Sequence, residues 1–140
     1  MRAELRHLHD FAYLGGHVLA DLDVVTWHLQ DGHAGGAAPE FVTHLDQGKA
    51  LSQVLAQALS KLRPDGAEPA RHDVAPRKWY QYLILHGAYV DGALNRDIMS
   101  RLYISEGTFN RTRRRAIRGL STALREMERE AQERIRIATR

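Results

Sequence analysis

Apolar residues recur at helical spacing along most of the chain, and no segment alternates as a half-buried strand would require. Leu5, Leu8, Phe11 and Ala12 set a first stripe. Gly15-Gly16 interrupts it, and Val18, Leu19, Leu22, Val25, Trp27 and Leu29 resume it, so residues 3–29 predict a helix with a break. Asp31-Gly32-His33-Ala34-Gly35-Gly36 has the composition of a loop. Pro39 then precedes a helix predicted from Glu40 to Leu62. Its stripe is Phe41, Leu45, Leu51, Leu55 and Leu59, with Val54, Ala58 and Leu62 beside it. Residues 63–76 contain three prolines and a glycine and carry no stripe. Proline lacks the backbone donor and glycine adds chain entropy, so this stretch is expected to be a linker.

A second helical series follows. Pro76 suits the first turn of a helix. Trp79, Tyr82, Leu83, His86 and Val90 share a stripe with Leu85 and Tyr89 alongside, and Asp91-Gly92 ends it. A short helix is predicted from Leu94 to Leu102 with Ile98, Met99 and Leu102 as its apolar face. Tyr103-Ile104-Ser105 is too short for anything but a tight connection, and a long helix begins after Ser105. Leu120, Leu124, Met127, Ala131, Ile135 and Ala138 extend an apolar stripe toward the C-terminus. Packing against residues 1–62 of the same chain is the first expectation for that stripe, and a dimer seam is the second.

A short amphipathic helix, a three-residue turn and a second helix are the parts of a helix-turn-helix. Ile104 supplies an apolar anchor in the turn, and Ser105 can accept a hydrogen bond from a free amide of the second helix. Phe109, Ala116 and Leu120 point back toward the preceding helices. At about 100° per residue from Phe109, the positions Gly107, Asn110, Arg111, Arg114 and Arg118 fall between about 100° and 200°, on the outward face. Arginine pairs bidentately with guanine and asparagine with adenine in the major groove. A helix N-terminus also favours phosphate. The outward face is therefore expected to contact duplex DNA.

Charge sharpens this expectation. The net charge of +3 divides unevenly: residues 1–76 carry 6 Lys/Arg against 10 Asp/Glu, and residues 77–140 carry 14 against 7. An acidic front and a basic, arginine-rich rear suggest that only the rear meets a polyanion. Other chemistry finds little support. Cysteine is absent, which excludes disulfides and thiolate metal sites. The eight histidines include no pair at i,i+4 spacing, so no metal site or cofactor is expected. Asp21 and Asp23 lie on different helix faces and neither glycine cluster has the form of a phosphate loop, so the chain is not expected to be an enzyme. No apolar run reaches membrane-spanning length and the N-terminus lacks an apolar signal core, so a cytoplasmic protein with no membrane partner is expected.

Residues 77–125 resemble the helix-turn-helix of sigma-factor region 4 and of related response-regulator output domains. The likeness is carried by Asp97-Ile98-Met99, Leu102, Ile104-Ser105-Glu106-Gly107-Thr108-Phe109, Arg114-Arg115-Ala116-Ile117 and Leu120. It implies a winged-helix-like DNA-binding superfamily member. It also implies that Glu106, Gly107, Asn110 and Arg111 read bases and that Ser105 and Thr108 hold phosphate. The basic stretch of Arg113, Arg114, Arg115 and Arg118 follows them. Met99 departs from the pattern, where the family has a small alanine between the two helices. More weakly, Leu5-Arg6-His7-Leu8-His9-Asp10, Ala12-Tyr13-Leu14 and Val18-Leu19-Ala20-Asp21-Leu22 resemble the opening of bacterial regulators that place such a motif ahead of a large signalling ATPase. Small phage late-gene regulators are a further likeness.

The expectation is thus an all-α protein: an N-terminal helical unit at 1–62, a linker at 63–76, and a three-helix DNA-binding domain with a long terminal helix at 77–140. Its DNA-binding residues are Ser105, Glu106, Gly107, Thr108, Asn110, Arg111, Arg114, Arg115 and Arg118. Double-stranded DNA is the expected partner in transcription regulation. A second copy of the chain, RNA polymerase or a larger signalling protein are the protein partners the resemblance and the stripe imply. The rival readings are a module whose arginine face docks an acidic protein, and the amino-terminal part of a signalling ATPase.

Overall fold

The computed structural model describes residues 1–6, 8, 18–32 and 43–139. Among the described residues every regular element is helical and none is a strand, so the fold is all-α. The elements are α1 (Arg2–Arg6), a 3-10 turn (Val18–Asp21), α2 (Asp23–Gly32) and α3 (His44–Ser60). A second 3-10 turn (Arg77–Trp79) then leads straight into α4 (Tyr80–Leu85), which widens into a π turn (His86–Val90). α5 (Asn95–Leu102) and α6 (Glu106–Ala138) complete the chain. The break expected at Gly15-Gly16, the part of the expected Asp31–Gly36 loop from His33 on, and Pro39, Glu40 and Phe41 lie outside the described residues, whereas Asp31 and Gly32, expected in that loop, are the last residues of α2.

Packing divides the chain into two compact units. One is Met1 with Leu59–Ala123, and the other is Arg2–Ala58 with Leu124–Arg140. This differs from the division expected at residues 63–76. That stretch forms no helix, as its prolines dictate, but it is packed within the first unit. Ala75 is buried, the Arg63 guanidinium lies 5.6 Å from the Trp79 ring and 5.9 Å from the Tyr82 ring, and Arg101 Nη2 donates to the Pro69 carbonyl (3.3 Å). Proline and glycine forbid a helix, but they leave a segment free to pack.

The core of the first unit is Trp79, Tyr82, Leu83, Ile84, Leu85, Ile98, Leu102, Phe109, Ala116 and Leu120. Trp79 meets Tyr82 edge-to-face at 6.0 Å. Burial, with Glu68 nearby, raises the Tyr82 phenol above its ordinary range. Two glycines permit close approach. A Cβ on Gly87 would lie 3.2 Å from Ile98 Cδ1, and one on Gly119 would lie 3.1 Å from Leu62 Cδ2. These contacts set α5 against the π turn and α6 against the chain that follows α3. Met99 is half-buried, between the fully buried Ile98 and Leu102 of its own helix.

In the second unit α3 starts at a reciprocal cap. The Asp46 amide donates to Thr43 Oγ1 (3.2 Å) and the Thr43 amide donates to Asp46 Oδ2 (3.1 Å). This box satisfies the end of the helix at His44, later than the Glu40 start read from Pro39. The stripe Leu51, Val54, Leu55, Ala58 and Leu59 is buried as expected, whereas Leu45, in the first turn, is exposed. Leu124, Met127 and Ala131 of α6 are buried as well. Between them Glu128 accepts hydrogen bonds from the Asp23 amide (2.9 Å) and the Val24 amide (3.4 Å). A carboxylate at the start of α2 serves both the free amides and the positive end of the helix dipole. The stripe that suggested a dimer seam is therefore buried within the chain as far as Ala131, and Ile137 beyond it is exposed.

Replacing Glu128 with alanine should lower stability by about 1–3 kcal/mol, the range for hydrogen bonds to a charged group that leave buried donors unpaired. Urea unfolding followed by far-ultraviolet circular dichroism measures this, with Glu128→Gln falling between wild type and alanine.

Candidate nucleic-acid interface

The site is built on the junction of α5 and α6. α5 ends in a Schellman arrangement: the Tyr103 amide donates to the Ser100 carbonyl (3.3 Å) and the Ile104 amide to the Met99 carbonyl (3.1 Å). Tyr103 occupies the left-handed position of that motif, at φ 55° and ψ 44°. The Tyr80 hydroxyl donates to the Leu102 carbonyl (3.4 Å), which ties α4 to the same helix end. One residue later Ser105 caps α6, accepting from the Thr108 amide at 3.2 Å. Three residues thus close one helix and open the next, and Phe109, Ala116 and Leu120 are turned into the core.

The predicted site residues fall on two adjoining strips of the first half of α6. Ser105, Thr108 and Arg111 form a ladder: Ser105 Oγ donates to Thr108 Oγ1 (3.1 Å), and Arg111 Nη2 donates to the same oxygen (3.2 Å). Gly107 leaves room for this, since a Cβ there would lie 3.3 Å from Arg111 Nη1. Asn110 belongs to the other strip. Its Oδ1 accepts from Arg113 Nη2 (3.2 Å), and Arg113 stacks 5.3 Å from the Phe109 ring. Asn110 and Arg111, expected to read bases side by side, are therefore held by different neighbours. Arg114 and Arg118 are exposed beyond Asn110, Arg115 is exposed beyond Arg111, and Glu106 is exposed in the first turn. After Glu106 no carboxylate appears in α6 until Glu126.

The Arg111 strip faces a cleft of about 520 Å³. Its walls are Arg77, Tyr80, Gln81, Tyr103, Ile104, Ser105, Thr108, Arg111, Thr112 and Arg115. Three arginines, five hydroxyls and one amide line it, and no carboxylate does, which is the chemistry of an anion site. Arg77, Tyr80, Gln81 and Thr112 were not singled out in the sequence. A signal for Arg77 exists there: it opens a helix with Lys78, and cations in a first turn oppose the helix dipole.

The first unit, residues 59–123, carries 12 Lys/Arg against 6 Asp/Glu, and residues 2–58 with 124–140 carry 8 against 11. The positive charge is thus concentrated in the unit that holds the cleft. A second cavity of about 410 Å³ in this unit has mixed walls, with Asp73, Asp91 and Asp97 beside Arg71 and Arg101. Among the described residues no three metal-ligating side chains gather, and no helix is long and apolar enough to cross a membrane.

Removing the cap by Ser105→Ala should cost about 1 kcal/mol of stability. Ser105→Asp should restore it, because a carboxylate accepts the same amide, yet it places a negative charge at the cleft. Thermal unfolding of the two variants checks the pair. Comparison with protein-family models, with curated proteins and with solved structures gives no match, so the meaning of this surface is carried by its own geometry.

Proposed function

We propose that the protein is a transcription regulator that binds duplex DNA sequence-specifically, entering the major groove with the first half of α6. The observation that carries this reading is the arginine surface of that half-helix: exposed, free of carboxylates after Glu106, and presented by a three-residue turn behind a short helix. Asn110, Glu106 and Gly107 face the bases, where an amide suits adenine and a carboxylate suits the amino group of cytosine. Arg114 and Arg118 flank them as phosphate anchors. The cleft beside Arg111 and Arg115 takes a backbone phosphate, with Ser105 and Thr108 at its edge. On this reading the unit is a helix-turn-helix of the sigma-region-4 kind acting in the cytoplasm. RNA polymerase, a second copy of the chain or a larger signalling protein are its protein partners.

Selection of bound sequences from a random duplex pool, followed by titrations at several salt concentrations, tests the reading. Neutralising Arg114 or Arg118 should each reduce the salt slope by about one unit, uniformly across sequences. Asn110→Ala should cost about 1–3 kcal/mol on the selected sequence and relax preference at one base pair. A chain that enriches no sequence, with both arginine variants matching wild type, would instead assign the arginine face to an acidic protein.

A further inference from the structure

Tyr103 is the one non-glycine residue with positive φ among the described residues. The left-handed position that closes a Schellman motif is where glycine avoids a steric penalty that any Cβ incurs. The tyrosine side chain is not buried in return. Its side chain is 80% exposed, and none of the described residues bonds its hydroxyl. Strain retained without packing in return is a mark of function, and it concentrates where ligands are gripped.

The position of the ring says which ligand. Tyr103 walls the carboxylate-free cleft together with Arg77, Arg111 and Arg115. It also borders the cavity that holds Asp91 and Asp97. It therefore stands at the edge where a carboxylate-free, arginine-lined wall gives way to one of mixed sign, with Arg71 and Arg101 beside the aspartates. A phenol there offers a flat apolar face and a free O–H donor, which match a deoxyribose and its phosphate oxygen. We propose that Tyr103 is a DNA-backbone contact: its hydroxyl donates to the phosphate seated in the cleft, its ring packs on the adjoining sugar, and the left-handed backbone is kept at a cost in stability to aim it there. This rests on the duplex-binding reading above and adds to it a residue that reads no base.

The test uses the full chain with Tyr103→Gly and Tyr103→Phe, and a labelled duplex of mixed sequence as probe. Glycine should raise the melting temperature, because the strain is relieved, and weaken duplex binding about tenfold or more, because the hydrogen bond and the ring packing are both lost. Phenylalanine should leave the melting temperature unchanged and lose part of the affinity. Neither variant should alter the salt slope, since no charge is removed. Wild-type affinity in Tyr103→Gly would overturn the assignment while leaving the duplex-binding reading in place. A lower melting temperature in Tyr103→Gly would overturn it too, by showing that the side chain is retained for the fold. Absence of duplex binding by the wild type would overturn both, and it is distinguished from the first outcome because the wild-type titration is read separately.

Discussion

Two helices that meet within three residues must satisfy the last carbonyls of one and the first amides of the other without help from a longer loop. In this protein that constraint fixes the functional surface. The Tyr103 and Ile104 amides close α5, the Ser105 hydroxyl opens α6, and Tyr80 takes the Leu102 carbonyl from the side. With those groups paired, the direction in which α6 leaves α5 is set. Phe109 and Ala116 then go inward, and the arginines interleaved with them go outward. A longer or unpaired connection would let the same amphipathic helix leave at other angles, and the cleft lined by Arg77 and Arg111 would not be held together.

The long helix has two distinct halves. Its first part, from Gly107 to Arg125, is basic and presents cations to solvent. Its later part mixes signs and turns acidic side chains to structural use. Glu128 holds the amides that open α2, and Glu133 pairs with Arg136 one turn along. Over the whole helix nine arginines stand against five glutamates, and that net value hides the separation. The division matters physically because a carboxylate within the first part would neutralise an anchor, whereas in the later part it satisfies a helix end.

Arg111 shows how a helix surface can be sorted without tertiary contacts. Its guanidinium folds back along the helix to Thr108 over the space left by Gly107, and Asn110 is drawn the other way by Arg113. Two residues adjacent in sequence thereby serve neighbouring strips. Ideal helical angles placed both on one outward arc, because those angles locate Cα atoms and say nothing about where a long flexible side chain finds its partner.

What the sequence determined by itself is local: the all-helical class, the turn at Tyr103–Ser105, the serine cap, the burial of Phe109, Ala116 and Leu120, and the outward arginines. Periodicity, capping and turn formation depend on residues within about four positions of one another, so the chain states them directly. Tertiary structure decided the rest. It packed the proline-bearing stretch against Trp79, gave residues from Leu124 on to the unit of Arg2–Ala58, brought Arg77 to Arg111, and seated Glu128 on an amide 104 positions away. Such pairs are chosen by complementary groups meeting in space, and neither partner alone carries a local pattern that names the other.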